Sequence, residues 1–79
     1  MAISSQDEWE ERAAAFLKNK LREQEVTYVE LAKRLKKHGF KDETEASITM
    51  KLKRGTFAAS FMLACIAALE LDGVALEEI

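Results

Sequence analysis

Hydrophobic residues recur every three or four positions in the first part of the chain, which is the spacing of one face of an α helix. Ser5 precedes this stretch and Glu8 follows it by three residues, the pattern of a helix-starting capping box. We therefore predict a first helix over residues 5–24. Its inward stripe, anchored in the core by the tryptophan, consists of Trp9, Ala13, Phe16, Leu17 and Leu21.

A second amphipathic stretch predicts a helix over residues 27–38. Thr27 and Glu30 form another capping box, and Gly39 suits the left-handed residue that ends many helices. The apolar positions of this stretch repeat at helical spacing and form its inner face, which consists of Tyr28, Leu31, Ala32 and Leu35.

A third, shorter helix is predicted over residues 44–54, ended by Gly55. Either Asp42 or Thr44 is its N-cap. Its apolar residues Ile48 and Leu52 lie one turn apart and face inward. Because most of its other residues are polar, packing against neighbouring helices must hold it in place.

The fourth predicted helix, residues 57–71, is apolar almost all the way round, since only Ser60 and Glu70 interrupt its run from residue 58 onward. Such a helix is expected to be buried on every side. The tail, residues 72–79, is either a last helical turn or a short strand. The predicted fold is thus an all-α single domain, residues 1–79, with four or five short helices.

The charged residues are unevenly distributed along the chain, although its net charge is only −2. Residues 27–56 hold eight Lys or Arg against four Asp or Glu, whereas residues 57–79 hold four acidic residues and no basic one. A local basic region attracts an anionic partner even when the whole molecule is slightly acidic.

The sequence contains no recognisable catalytic motif. We therefore expect that the protein is not an enzyme and binds no metal and no cofactor. His38, the only histidine, is expected to be a solvated residue at a helix end, and Cys65 a small hydrophobe in an apolar run. A single cysteine fits a reducing compartment, and neither a signal peptide nor an apolar stretch of membrane-spanning length is visible. A cytoplasmic protein without a membrane partner is therefore expected.

Residues 26–55 have the order of elements that defines a helix-turn-helix: a capped helix, a turn with a glycine, and a second short helix. In that motif the second helix enters the DNA major groove while the first crosses the backbone. The basic region and the polar side of residues 44–54 suit those two roles.

Within this stretch, residues 27–32 (TYVELA) together with Leu35 resemble the second helix of the phage-repressor-like (Cro/C1-type) helix-turn-helix proteins. Residues 51–55 (KLKRG) resemble the end of their recognition helix, and residues 68–69 the end of the helix that follows. The resemblance extends over residues 12–71. It implies a lambda-repressor-like fold and a DNA-binding regulator, but no particular target.

The layout of the whole chain is also similar to that of a family of short, uncharacterised bacterial proteins. These proteins carry Trp-Glu near the start, here residues 9–10, and the helix motif Thr-Tyr-x-Glu-Leu-Ala, here residues 27–32. They also carry Lys-x-x-Arg-Gly-x-Phe, here residues 51–57, before an apolar helix.

The chain departs from the repressor pattern at three points. Tyr28 stands where repressors carry a glutamine that grips a phosphate, so its hydroxyl takes that role or its ring packs in the core. The turn between the second and third helices is about two or three residues longer than usual, which re-aims the third helix. Glu43 and Glu45 stand where base-reading residues begin and would repel DNA unless they accept from a cytosine amino group.

These features predict a small transcriptional regulator that binds double-stranded DNA. The alternative is a protein-interaction module on the same fold, resembling an antitoxin or an antirepressor, with a protein partner instead of DNA. If the partner is DNA, the predicted base contacts are Ser47, Met50 and Lys51. The predicted phosphate contacts are Tyr28, Lys41, Thr44, Lys53 and Arg54.

A domain this small cannot cover every side of an apolar fourth helix, and a large apolar patch left in water favours association. We therefore predict a homodimer in which the fourth helix and the tail form the interface. The alternative is that the first helix, with Trp9 and Phe16, covers the fourth completely. The predicted interface residues are Phe61, Met62, Cys65, Ile66, Leu69 and Leu71.

Overall fold

The computed structural model describes residues 3–79, so Met1 and Ala2 of the predicted domain lie outside the described residues. No strand occurs within this described range, and the all-α prediction is confirmed. The tail forms a short helical turn rather than a strand. The elements are α1 (Gln6–Glu23), α2 (Tyr28–Lys37), α3 (Glu45–Arg54), α4 (Ala59–Ala68) and a 3-10 helix (Leu76–Glu78).

The first three helices begin where the sequence predicts, because a hydroxyl satisfies a free backbone N–H at each start. Ser5, Thr27 and Thr44 each accept a hydrogen bond from the backbone N–H three residues later, at 3.1–3.2 Å. Thr44, not Asp42, is the N-cap of α3. The Ser47 hydroxyl accepts in return from the Thr44 N–H at 2.8 Å, which completes a capping box.

The ends of α2 and α3 depend on glycines in the left-handed region. Gly39, with φ 92°, follows α2 and donates to the Lys36 carbonyl at 3.1 Å, while Phe40 donates to the Leu35 carbonyl at 3.0 Å. This pair of bonds is a Schellman motif, and it confirms the left-handed helix end predicted at Gly39. Gly55, with φ 73°, ends α3 in the same region of backbone space.

The core lies where α3 packs on both α1 and α2, and where α4 packs on α2. The predicted inner residues of α2 and α3 are confirmed as buried, apart from the half-buried Tyr28. The buried apolar side chains are Ala14, Phe16, Leu17 and Leu21 of α1; Val26; Leu31, Ala32 and Leu35 of α2; Ile48 and Leu52 of α3; and Phe61, Ala64, Cys65, Ala68 and Leu69 in or just after α4.

Trp9 is not the core anchor that the sequence predicts, since its side chain is 44% exposed. The first buried residue of α1 is Ala14, one helical turn and more beyond Trp9. Helical spacing places Trp9 on the same side of α1 as the buried residues. It does not show which residues along that side are in contact with other helices.

Within one copy the fourth helix is not buried on all sides, as expected for a domain this small. Leu63 is 66% exposed, and Met62 and Ile66 are only half-buried. The reason is topological: α1 packs mainly on α3 and leaves the outer side of α4 uncovered. This helix also ends earlier than predicted, at Ala68. Within residues 3–79, no helix combines the length and the apolar character needed to cross a bilayer.

The C-terminal end of α3 lies unusually close to the backbone of α1. A Cβ atom on Gly55 would stand 2.5 Å from the carbonyl oxygen of Glu10, well inside van der Waals contact. Only glycine therefore permits both the left-handed turn and the close approach of the two helices at this point.

We expect Gly55→Ala to lower the free energy of unfolding by about 2 kcal/mol or more, because left-handed strain adds to the clash with the Glu10 carbonyl. Gly39→Ala is the matched control, since Gly39 also has a positive φ but nothing lies within 4 Å of its added Cβ. It should lose only about 1 kcal/mol. Urea unfolding of both variants measures the difference, and equal losses would contradict the close approach of α1 and α3.

Candidate nucleic-acid interface

A buried carboxylate stands at the entrance to α3. Glu43, in the turn after α2, is only 8% exposed. The Ser47 hydroxyl donates to one of its carboxylate oxygens at 2.6 Å, and the Lys51 ammonium group donates to the other. Because Ser47 and Lys51 lie one turn apart on α3, both donors come from the same side of the helix.

The Lys51 ammonium group also joins α3 to α4. It lies 4.9 Å from the centroid of the Phe61 ring, within the range of a cation–π contact. That ring packs in turn against Phe57 at 5.3 Å and edge-on against Phe40 at 6.4 Å between centroids. The Glu43–Lys51 ion pair is thus in contact with a small aromatic cluster, Phe40, Phe57 and Phe61, that links the turn, α3 and α4.

Burial and pairing act in opposite directions on Glu43. Burial by itself raises the pKa of the Glu43 carboxyl, but the hydrogen bonds from Lys51 and Ser47, with the charge of Lys51, hold that pKa below its ordinary value. The carboxyl group is therefore ionised at neutral pH. Burial, assisted by the charge of Glu43, raises the pKa of the Cys65 thiol to about 12, which keeps the thiol protonated and a poor nucleophile.

The opposite side of α3 is covered by no other element of residues 3–79. Met50 is 45% exposed there. The Thr49 hydroxyl donates to the Glu45 backbone carbonyl at 2.8 Å, so it bonds its own helix. Spacings of three and four residues place the exposed side chains on one face, which we call the outer face of α3: Glu45, Ala46, Thr49, Met50 and Lys53.

Exposed cations are concentrated on α2, α3 and the turn between them. Arg34 pairs with Glu30 at 3.1 Å, and Lys51 with Glu43, so these two charges are compensated. The other cations of this region form no ion pair within the described part of the chain. They are Lys33, Lys36, Lys37, Lys41, Lys53 and Arg54.

A groove with a volume of about 450 Å³ runs between α1 and the end of α3. Lys53 and Arg54 form one side of it, and Glu10 and Glu11 of α1 form part of the other. These opposite charges do not come within ion-pair distance in residues 3–79, but the acidic side chains reduce the positive potential at this end of α3.

The profile of one protein family, described as a domain of unknown function, matches residues 9–74. The chain belongs to the DUF6471 family. Comparisons with curated proteins and with solved structures found no match. The family description assigns no activity to the DUF6471 domain.

Of the three predicted base contacts, the DUF6471 domain places only Met50 on the outer face of α3. Ser47 and Lys51 are turned toward Glu43, so their polar atoms already have a partner inside the domain. Both side chains are half-buried, whereas the sequence predicts them free at the surface of α3. Contact of Ser47, Met50 or Lys51 with DNA stays a prediction.

Four of the five predicted phosphate contacts lie at the surface: Lys41, Thr44, Lys53 and Arg54 are exposed. The Thr44 hydroxyl is engaged as the N-cap of α3. Tyr28 is half-buried and packs against the core, in line with the packing alternative for this side chain.

Three of the six residues predicted for the dimer interface are buried within one copy. Phe61, Cys65 and Leu69 lie in the core of the DUF6471 domain and offer no surface, because α4 turns them toward α2. Met62, Ile66 and Leu71 are half-buried at the edge of the core. The most exposed apolar residue of α4, Leu63, was not among the predicted residues.

Sequence reasoning also missed the internal role of Glu43 and the exposure of Ala46 and Thr49. The spacing of Glu43, Ser47 and Lys51, four residues apart each time, was the available signal for an acid, a hydroxyl and a base on one side. Among residues 3–79 no three His, Cys, Asp or Glu side chains cluster closely enough to hold a metal ion.

We expect Glu43→Gln to lower the free energy of unfolding at neutral pH by about 1–3 kcal/mol, because a charge-assisted bond is lost at a buried site. Since the pKa of Glu43 is lowered on folding, the stabilisation is present above its ordinary value of 4.5 and is lost as the pH falls below it. The difference between variant and wild type should therefore shrink in acid.

Unfolding by urea at several pH values measures this change. Glu45→Gln is the matched control, because Glu45 is an exposed carboxylate two residues away with no ion pair in the described residues. A Glu43→Gln variant as stable as wild type at neutral pH would show that the buried pair contributes no net stability.

Proposed function

We propose that this DUF6471 domain binds double-stranded DNA through α2 and α3, acting as a lambda-repressor-like helix-turn-helix with α3 in the major groove. The observation that carries the proposal is the outer face of α3, which no other described element covers and which lies within the most cationic part of the chain. In this motif the second helix needs such a free face to reach base edges.

The charges support the same orientation. Outside the two ion pairs, residues 27–56 carry six exposed cations but only Asp42 and Glu45 as exposed acids. In contrast, residues 57–79 carry no Lys or Arg. An approaching duplex is therefore attracted to the α2–α3 side and repelled by the acidic tail, which orients the encounter.

The ion pair of Glu43 with Lys51 reduces the repulsion expected between this carboxylate and DNA phosphates. A carboxylate that Lys51 neutralises within the domain repels phosphates much less than a free one. Glu45 remains exposed at the start of α3, where it opposes phosphates and can accept a hydrogen bond from a cytosine amino group. On this proposal the protein is a small transcriptional regulator that needs no cofactor.

We further propose that two copies associate through the outer side of α4. This surface is centred on Leu63, with Ala59 and Ala67 one turn away on either side and Met62 and Ile66 along its edge. It contains no charged residue, so it meets an equally uncharged surface at no cost in desolvated charge. The apolar face of a second copy satisfies this condition.

The charge distribution favours an antiparallel arrangement of the two α4 helices. The end that follows α4 is acidic, with Glu70 and Asp72, whereas no acidic residue lies between α3 and α4. When two copies lie antiparallel, the acidic ends of the two helices are kept apart. A two-fold axis of this kind makes the same contacts twice and closes the assembly as a dimer.

The outer side of α4 also supports the second candidate function, a protein-interaction module resembling an antitoxin or an antirepressor. The specific observation is again the exposed Leu63, which a different protein with an apolar groove would cover. DNA affinity and self-association separate this candidate from the first, because the interaction module requires neither.

DNA binding is tested by titrating a labelled random-sequence duplex with the protein at several salt concentrations. We expect the affinity to fall steeply with salt, because phosphate contacts release counterions. Lys53→Ala should reduce the log–log slope by about 1. Arg22→Ala, which removes an exposed cation from the last turn of α1, should leave the slope unchanged. No binding at low salt would refute the DNA proposal.

Self-association is tested by sedimentation equilibrium at tens of micromolar protein. We expect the wild type to sediment as a dimer of the 8.9 kDa chain and Leu63→Asp as a monomer. Leu76→Asp is the matched control, since Leu76 is also exposed but lies in the tail, and it should remain dimeric. A monomeric wild type would contradict the dimer and favour a different protein as the occupant of α4.

A further inference from the structure

The outer face of α3 has few polar groups free to recognise a base. The hydroxyl of Ser47 and the ammonium group of Lys51 are bonded to Glu43, and the Thr49 hydroxyl is bonded to the Glu45 carbonyl. Hydrogen-bond recognition of a base edge requires a free donor or acceptor near the start of the helix. Apart from Glu45, this part of the face offers none.

The groups that remain between Glu45 at the start of the face and Lys53 at its end are apolar. Ala46 contributes a methyl group, Thr49 a methyl group beside its engaged hydroxyl, and Met50 a flexible thioether chain that is nearly half exposed. Their spacings of three and four residues place them next to one another on the helix. The middle of the outer face is therefore a small apolar surface within a cationic region.

Only one feature of a DNA base edge in the major groove is apolar, namely the C5-methyl group of thymine. Alanine and threonine methyl groups contact it well, and methionine adapts to irregular apolar surfaces. Ala46 and Met50 are separated by about 6 Å along the helix axis, which is close to two base-pair steps. The outer face therefore has the size to contact methyl groups on neighbouring bases.

We propose that α3 selects duplexes that carry C5-methyl groups on their pyrimidines, through contacts from Ala46, Thr49 and Met50. This inference rests on the proposed DNA-binding function and adds the chemical group that is selected. Thymine supplies that group in ordinary DNA, and 5-methylcytosine carries the same group at the same position of the major groove.

The test compares duplexes of one length at one salt concentration. Alternating dA-dT is compared with alternating dA-dU, which lacks only the methyl groups, and alternating dG-dC with its 5-methylcytosine counterpart. We expect each methylated duplex to bind about three to ten times more tightly, the gain from burying one or two methyl groups. A preference in the first pair alone assigns the selection to thymine, and a preference in both assigns it to the methyl group wherever it occurs.

The Met50→Ala variant ties the preference to α3. Because Met50 is exposed, this variant should fold, and the ratio of its affinities for methylated and unmethylated duplexes should fall most of the way to one. Leu76→Ala, an exposed apolar residue of the tail, is the control and should keep the preference.

The failure of methyl selection and the failure of DNA binding give different results. Salt-dependent binding with equal affinity for methylated and unmethylated duplexes, or a preference that Met50→Ala leaves intact, overturns methyl selection while DNA binding stands. An absence of binding to every duplex at low salt overturns the proposed function itself, and methyl selection with it.

Discussion

A carboxylate cannot stay buried and ionised without donors close to it, and this constraint at Glu43 determines how α3 is oriented. Its two donors, Ser47 and Lys51, come from one side of α3, so that side turns inward. The opposite side then becomes the outer face, with few free polar atoms. Because Lys51 also lies over the Phe61 ring, the position of α4 relative to α3 depends on the same charge. The buried ion pair thus links the packing of three elements to the chemistry of the exposed surface.

The parts of the fold that follow from the sequence are those that depend on neighbours within a few residues. Ser5, Thr27 and Thr44 start helices because their hydroxyls reach the N–H group three residues later. Gly39 and Gly55 end helices because they adopt a positive φ with little strain. The inner residues of α2 and α3 follow from spacing as well, since each of these helices has one distinct apolar side.

The parts that the sequence did not reveal depend on contacts between distant elements. Trp9 lies on the apolar stripe of α1, but the packing of the other helices decides which residues of that stripe are buried. The fourth helix is apolar on all sides, so periodicity cannot tell the buried Phe61 from the exposed Leu63. For the candidate site, the cationic region follows from composition alone. The pairing of Lys51 with Glu43, which removes one cation from that region, does not follow from composition. It depends on the burial of Glu43, which only the fold shows.

The division of α3 and its surroundings into a cationic region and an apolar outer face has a consequence for any DNA complex. Contacts from Lys41, Lys53 and similar side chains depend on ionic strength but not on base sequence. Contacts from Ala46 and Met50 depend on base sequence but hardly on ionic strength, because they bury apolar surface. Raising the salt concentration therefore removes affinity faster than it removes selectivity. Such a domain keeps its selectivity under conditions where it binds weakly, and the proposed two-fold dimer would compensate for the lost affinity by engaging two half-sites at once.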